Sequence, residues 1–203
     1  MWSNLALKKI SSMLSDRQWN KVMSQTSSIS RLQELLPELF RATQLPGDPY
    51  LRCQLTPEVT ALLSMAYVQE SLLVPGEKIT PIPNMSAFVV GLMNSRDRVF
   101  CAIDLAQLLG LSSPSSYSRQ YHIIVIRVSQ FLDRQSAAEQ ELLLGLVVNR
   151  VQGITRVMSD EMRSPQGNLS PSLTPYIKGC VVEKDQQLLI LDTGAIATAP
   201  HLY

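Results

Sequence analysis

One stretch, residues 82–109, constrains the fold of this chain more than any other part (IPNMSAFVVGLMNSRDRVFCAIDLAQLL). Its apolar run 88–93 stops at the polar segment 94–97, and a second apolar run, 99–103, follows at once. Asn, Ser and Asp hydrogen-bond their own backbone in turns, so two strand-like runs joined in this way predict a β-hairpin.

A capped helix is predicted directly after the hairpin. Asp104 and Gln107, three residues apart, offer a capping pair to a short helix over 105–109, whose first amides would otherwise lack partners. Residues 188–197 repeat the arrangement, with an apolar strand, Asp192 at the capping position and a helix of small residues. This echo suggests that the molecule has two related halves.

Short strand-like runs continue through most of the chain. Few long helical patterns separate them, which favours antiparallel barrels over a parallel sheet with crossover helices. We therefore expect a mainly β fold. The predicted strands are 51–55, 59–65, 71–74, 88–93, 99–103, 122–128, 143–150, 154–158, 178–182 and 188–191.

The first 48 residues have a different pattern. Leucines in the segment 32–40 follow a helical repeat, and the segment 45–49 (LPGDP) then breaks it. We expect a helical N-terminal extension over residues 1–48 and a separate domain over residues 49–200. The extension could dock on protein or on a membrane surface, and polar residues mixed with its lysines favour protein.

Composition excludes several classes of protein. Hydrophobic residues make up 45% of the 203 residues and the net charge is +1, which argues against wholesale disorder and against a broad nucleic-acid surface. No apolar stretch reaches the roughly 20 residues that cross a bilayer. Cys53, Cys101 and Cys180 lie far apart in apolar segments, as reduced core thiols do. We therefore expect a cytoplasmic protein.

Catalytic chemistry is not indicated. His122 and His201 are too few and too separated for a metal site or for a base beside a nucleophile. The carboxylates of Asp104 and Asp192 could serve an enzyme as acid and base, but both stand where a helix cap is expected. We predict no enzymatic activity, no cofactor and no metal, and a carboxylate-dependent enzyme is the remote alternative.

These segments together resemble the CheW-like chemotaxis coupling family. In that family the turn usually reads Asn-Leu-Arg-Gly before an apolar strand that ends in Asp-Leu. The resemblance runs from about residue 50 to the C-terminus and implies two linked five-stranded SH3-like barrels with a groove at their junction. The matching segments are MAYVQE at 65–70, ITPIPN at 79–84, NSRD at 94–97, LGLVV at 144–148 and PYIKG at 175–179.

The resemblance also implies which residues bind partners. Arg96, on the tight turn, would present a forked donor to a carboxylate. Val68 and Glu70 match receptor-contacting positions and, in an extended strand, would share one face. Gly91 and Ile123 match positions along the groove. The motif departs from the family at residue 97, where Asp replaces the usual glycine.

The function implied is that of a non-enzymatic adaptor. It would couple a methyl-accepting chemoreceptor-type protein to a CheA-like histidine kinase, beside membrane receptor arrays. The sequences of segments 54–57, 83–85 and 175–180 further resemble the subgroup of this family that is found in cyanobacterial pilus-motility and phototaxis clusters. The alternative is a CheW-like barrel whose helical extension docks on, or regulates, another motility component.

Overall fold

The computed structural model describes residues 46–112, 119–131, 141–165, 167, 169–184, 186–200 and 202. The predicted N-terminal helices fall in residues 1–45 and lie outside the described residues. Residues from Pro46 onward form one unit.

Ten strands and two short α-helices are present in the described residues. Each predicted strand corresponds to one of them, with ends that differ by a few residues. The strands are β1 (Asp48–Gln54), β2 (Thr60–Ser64), β3 (Val68–Pro75), β4 (Val89–Ser95), β5 (Arg98–Asp104), β6 (Gln120–Arg127), β7 (Leu143–Val148), β8 (Arg150–Val157), β9 (Ile177–Glu183) and β10 (Gln186–Leu191); the helices are α1 (Leu105–Leu108) and α2 (Thr193–Ala197).

The strands form two curled five-stranded sheets, which are the two SH3-like barrels of a mainly β fold. Barrel A has the order β8-β1-β2-β10-β9, and barrel B has the order β3-β6-β7-β5-β4. Most neighbours are antiparallel, as predicted. Each barrel also contains one parallel pair that was not predicted, β10 with β2 and β5 with β7.

The two barrels are versions of one plan. In barrel B three strands, a helix and two strands follow one another along the chain, from β3 to β7. In barrel A the equivalent three strands and helix are β8, β9, β10 and α2. The places that β6 and β7 occupy in barrel B are occupied in barrel A by β1 and β2, which come first in the described chain. The sequence echo is therefore a real structural repeat, and both ends of the described chain build barrel A.

Local details repeat as well. Asp104 Oδ1 accepts a 3.0 Å hydrogen bond from the Gln107 amide, and Asp192 Oδ1 accepts one of 3.0 Å from the Ala195 amide. Both predicted caps are confirmed, which gives each carboxylate a structural role at a strand-to-helix junction.

Gly91 and its counterpart Gly179 each come directly after a bulge. The residue after each glycine forms an isolated bridge, Leu92 with Thr80 and Cys180 with Arg163. A Cβ on Gly91 would lie 2.3 Å from the Thr80 carbonyl oxygen, and one on Gly179 would lie 3.2 Å from the Arg163 carbonyl oxygen. Gly91 also has a φ of 152°. The backbone therefore approaches too closely at Gly91 for any side chain.

Three apolar clusters hold the fold together. One fills barrel B and includes Phe100 and Val147, and another fills barrel A and includes Leu62 and Ile190. The third and largest contains residues of both barrels, such as Leu63 and Leu146. The central strands of each barrel are consequently buried on both faces, and the barrels share a core.

Candidate functional site

Three of the residues implied as partner contacts lie at one open end of barrel B. This end gathers the start of β3, the end of β4, the start of β5, the end of β6 and the residues before β7. We call it the charged rim and define it by Val68, Glu70, Ser95, Arg96, Arg98, Arg127 and Glu141. Exposed Val99 follows Arg98, and exposed Leu142 follows Glu141.

Glu70 joins the two end strands of the sheet order at this rim. Its Oε1 accepts a 3.0 Å hydrogen bond from Ser95 Oγ. Its Oε2 lies 3.4 Å from Arg96 Nε, an ion pair that makes no hydrogen bond, and this oxygen is buried. The Glu70 side chain is 15% exposed, whereas that of Arg96 is 83% exposed. The carboxylate is thus held in place while the guanidinium can pair with another molecule.

A second ion cluster extends the rim across the barrel. Glu141 pairs with Arg98 Nη1, and its Oε1 lies 3.9 Å from Arg127 Nε. Arg127 Nη2 also donates a 3.3 Å hydrogen bond to the Ala66 carbonyl oxygen. The rim therefore presents three arginines, two of which share one carboxylate, beside exposed apolar side chains.

The prediction that Val68 and Glu70 share one face is wrong. A bulge at Gln69 shifts the register, so Val68 pairs with Ile126 and Glu70 pairs with Val125. Ile126 and Val125 are neighbours in β6 and belong to different apolar clusters. Val68 therefore packs on the shared core, whereas Glu70 lies on the inner face, where it reaches β4.

The turn that carries Arg96 is a two-residue hairpin loop. Ser95 pairs with Arg98, and the residues between them, Arg96 and Asp97, have φ of 47° and 63°. Positive φ at both positions is typical of a type I′ turn, which prefers Asn-Gly. Asp97 thus occupies the left-handed position where the family motif has glycine, and the turn forms with it.

Gly91 and Ile123 lie away from the rim. Gly91 is buried beneath the Thr80 backbone, so the close approach at this glycine is made by the chain itself. Ile123 is fully buried inside barrel B. Both residues shape the barrel from within and offer no surface to a partner.

Sequence reasoning missed Ser95, Arg98, Arg127 and Glu141. Ser95 and Arg98 flank the predicted turn, so the hairpin register would have singled them out as a closing pair. Arg127 and Glu141 come from distant parts of the chain, and no local pattern marks them. They join the rim only because β6 and β7 run beside β3 and β5.

The side chains at the rim are of the kinds that proteins use for binding. Among the described residues, no group of three or more His, Cys, Asp or Glu side chains could hold a metal ion. No helix in the same part of the chain is long and apolar enough to span a membrane. Charged hydrogen-bonding groups beside apolar side chains suit recognition of a protein surface.

Comparison with known proteins agrees with this picture. A family model described as the CheW-like domain matches residues 49–201. The chain is 28% identical over 118 residues to the chemotaxis protein CheW of Thermotoga maritima, across 58% of this chain and 68% of that protein. The fold is similar to that of the scaffolding protein TtCheW from Thermoanaerobacter tengcongensis, with a TM-score of 0.57 and 20% identity over 72% of this chain and 90% of that one. Because the family model matches residues 49–201 and the described residues form the two barrels, the chain belongs to the CheW-like domain family.

Proposed function

We propose that this protein is a non-enzymatic adaptor of chemotaxis-type signalling. It would couple a chemoreceptor-type protein to a CheA-like histidine kinase in the cytoplasm, at membrane receptor arrays. The observation that carries the proposal is the charged rim, where the largely buried carboxylate of Glu70 is paired with the exposed guanidinium of Arg96. The family membership and the chemotaxis protein among its relatives support the same role.

The rim fits the helical tip of a receptor. A helix that carries a carboxylate and apolar residues on one face can pair with Arg96 and contact Val68 and Val99. Receptor state and kinase activity are coupled if the contacts between the receptor and the rim differ between two receptor states. Such differential binding is sufficient to shift the activity of an attached kinase. Residues 49–200 would carry this function.

The signalling pathway in which the protein acts is proposed from the amino-acid sequence of three segments. Segments 54–57, 83–85 and 175–180 support a place in pilus-based motility or phototaxis of the cyanobacterial type. Deleting the gene for this protein in its native cells and recording motility in directional light tests this assignment. Unchanged motility of the deletion strain would overturn it.

Co-purification from native cells tests the adaptor role. The Arg96→Glu variant should lose the receptor and keep the kinase, because the new carboxylate would oppose Glu70 and the partner's acid. Arg119→Glu is the matched control, since Arg119 is exposed at the opposite end of barrel B. Wild-type recovery of the receptor by folded Arg96→Glu protein would refute the role of the rim.

A second variant examines the apolar part of the rim. Val68→Thr keeps the branched shape of a residue that packs partly on the shared core, and replaces one methyl with a hydroxyl. We expect weaker receptor binding and a lower melting temperature, because the hydroxyl also faces the shared core. Binding is therefore compared at a temperature at which both proteins are folded, and wild-type binding by the variant would contradict a role for Val68.

The N-terminal extension has a separate candidate role. The family match begins at residue 49, so the preceding 48 residues are an addition to the conserved domain. They would dock on, or regulate, another motility component. Deletion of residues 1–45 distinguishes the possibilities, because tighter receptor binding would show an inhibitory segment and lost binding would show a contributing one.

A further inference from the structure

A cavity of about 500 Å³ is lined by residues outside the charged rim. It is bounded by the start of β1, the segment that joins β2 to β3, Phe131 and the junction of β10 with α2. None of its lining residues belongs to the rim. Its size is within the range of sites that hold small organic molecules.

Aromatic side chains form one part of the lining. The rings of Tyr67 and Phe131 are in contact, with centroids 5.1 Å apart and planes inclined by 58°. Tyr50, largely buried, also lines the cavity. Burial, with smaller effects from Asp48 and Tyr67, raises the pKa of the Tyr50 hydroxyl. Aromatic faces of this kind attract cations.

The charged groups of the lining favour the same sign of ligand. Asp48 and Asp192 contribute two carboxylates, against one ammonium from Lys178. Asp192 uses Oδ1 to cap α2, whereas Asp48 is exposed at the first position of β1. Asp48 is consequently the carboxylate that a bound cation could approach from solvent.

Thr193 adds a polar group that lacks a partner. The residue is 3% exposed, and its buried Oγ1 makes no hydrogen bond within the described part of the chain. A buried hydroxyl in this state is unfavourable, and a bound molecule with a hydrogen-bonding group would relieve it. The cavity thus combines aromatic faces, excess negative charge and an unused polar group.

We propose that this cavity binds a small aromatic ammonium compound. The ring would lie against the Tyr67 and Phe131 rings, and the ammonium would be held by Asp48 and by the aromatic faces. None of the lining side chains belongs to the rim, although Arg127 of the rim donates a hydrogen bond to the Ala66 carbonyl oxygen at the edge of the cavity.

Three probes of similar size test the proposal on the full chain: 2-phenylethylamine, 2-phenylethanol and 3-phenylpropionate. Chemical shifts of the Tyr67 and Phe131 amides are followed during titration at pH 7. We expect saturable shifts with the amine, at least about fivefold weaker binding of the alcohol, and still weaker binding of the carboxylate. Equal binding of all three probes would refute recognition of the ammonium group, and the absence of a saturable shift would mean that the cavity does not bind such compounds.

Two substitutions with opposite effects sharpen the test. Asp48→Asn should weaken binding of the amine about tenfold, and Lys178→Gln should strengthen it severalfold, because each changes one charge beside the ligand. Asp160→Asn, at an exposed turn that does not line the cavity, is the control and should change nothing. Folded variants that leave the amine affinity unchanged would overturn the proposal.

Discussion

Glu70 lies on β3 and Arg96 on the turn that follows β4, and these strands are the two ends of the barrel B order, yet Glu70 Oε2 and Arg96 Nε are 3.4 Å apart. The Ser95 hydrogen bond to Glu70 links the same two strands. Side chains therefore connect β3 to β4 at the charged rim. Glu70, which makes this connection, also positions Arg96, the proposed receptor contact.

Glu70→Gln should separate binding from stability. The amide oxygen can still accept from Ser95, while the charge that faces Arg96 is lost. Because Arg96 is 83% exposed, we expect the free energy of unfolding to fall by no more than about 1 kcal/mol. Urea unfolding measures this, and receptor pull-down at low and high salt measures the effect on binding. A loss of several kcal/mol would show that the pair is mainly structural.

Asp97→Gly should stabilise the protein. Asp97 has a φ of 63°, a conformation that glycine adopts without steric cost. We expect a gain of about 0.5–1 kcal/mol in urea unfolding. Asp160→Gly, at a turn residue without positive φ, serves as the control and should give no gain. Equal destabilisation by both changes would contradict our description of the turn.

Gly91→Ala should be among the most damaging small substitutions in barrel B. The added Cβ would lie 2.3 Å from the Thr80 carbonyl oxygen, and backbone cannot move aside as a flexible side chain can. We expect a loss of about 3 kcal/mol. Gly153→Ala is the matched control, since Gly153 also has positive φ but a Cβ added to it would meet no atom within 4 Å. Similar losses of unfolding free energy in the two variants would mean that the positive φ, and not the contact with Thr80, causes the effect.

Alkaline pH should weaken the fold through Cys53. Burial raises the pKa of this thiol from 9.0 to about 12. Above pH 9 the unfolded chain releases a proton that the folded protein keeps, so the free energy of unfolding falls as pH rises. Between pH 8 and pH 10 the free energy of unfolding of the wild type should fall by about 1 kcal/mol more than that of Cys53→Ala. Urea unfolding at the two pH values measures the difference, and identical losses would disprove the assignment.

Much of the fold could be predicted because its signals are local. Short apolar runs marked all ten strands, and the capping aspartates marked both strand-to-helix junctions. The hairpin of β4 and β5 was predicted from four polar residues between two apolar runs, and the structure confirms it.

The remaining features depend on pairing between distant segments. Gln69 has no property that marks a bulge, and its bulge arises from how β3 is fitted against β6. The same shift explains why the shared face of Val68 and Glu70 was predicted wrongly. Glu141 reaches the rim because β7 lies beside β5, a parallel pairing that no short motif reveals.

The division of barrel A between the two ends of the described chain sets an order for its assembly on the ribosome. Barrel B is complete once residue 148 has emerged, because β3 to β7 are consecutive. β1 and β2 leave the ribosome earlier, but β8, β9 and β10 leave it last. At a synthesis rate of about 5–20 residues per second, barrel A stays incomplete for several seconds, with only β1 and β2 outside the ribosome at first. The strands made first are therefore the ones that depend longest on the shared core, or on a chaperone, to keep their apolar faces from other chains.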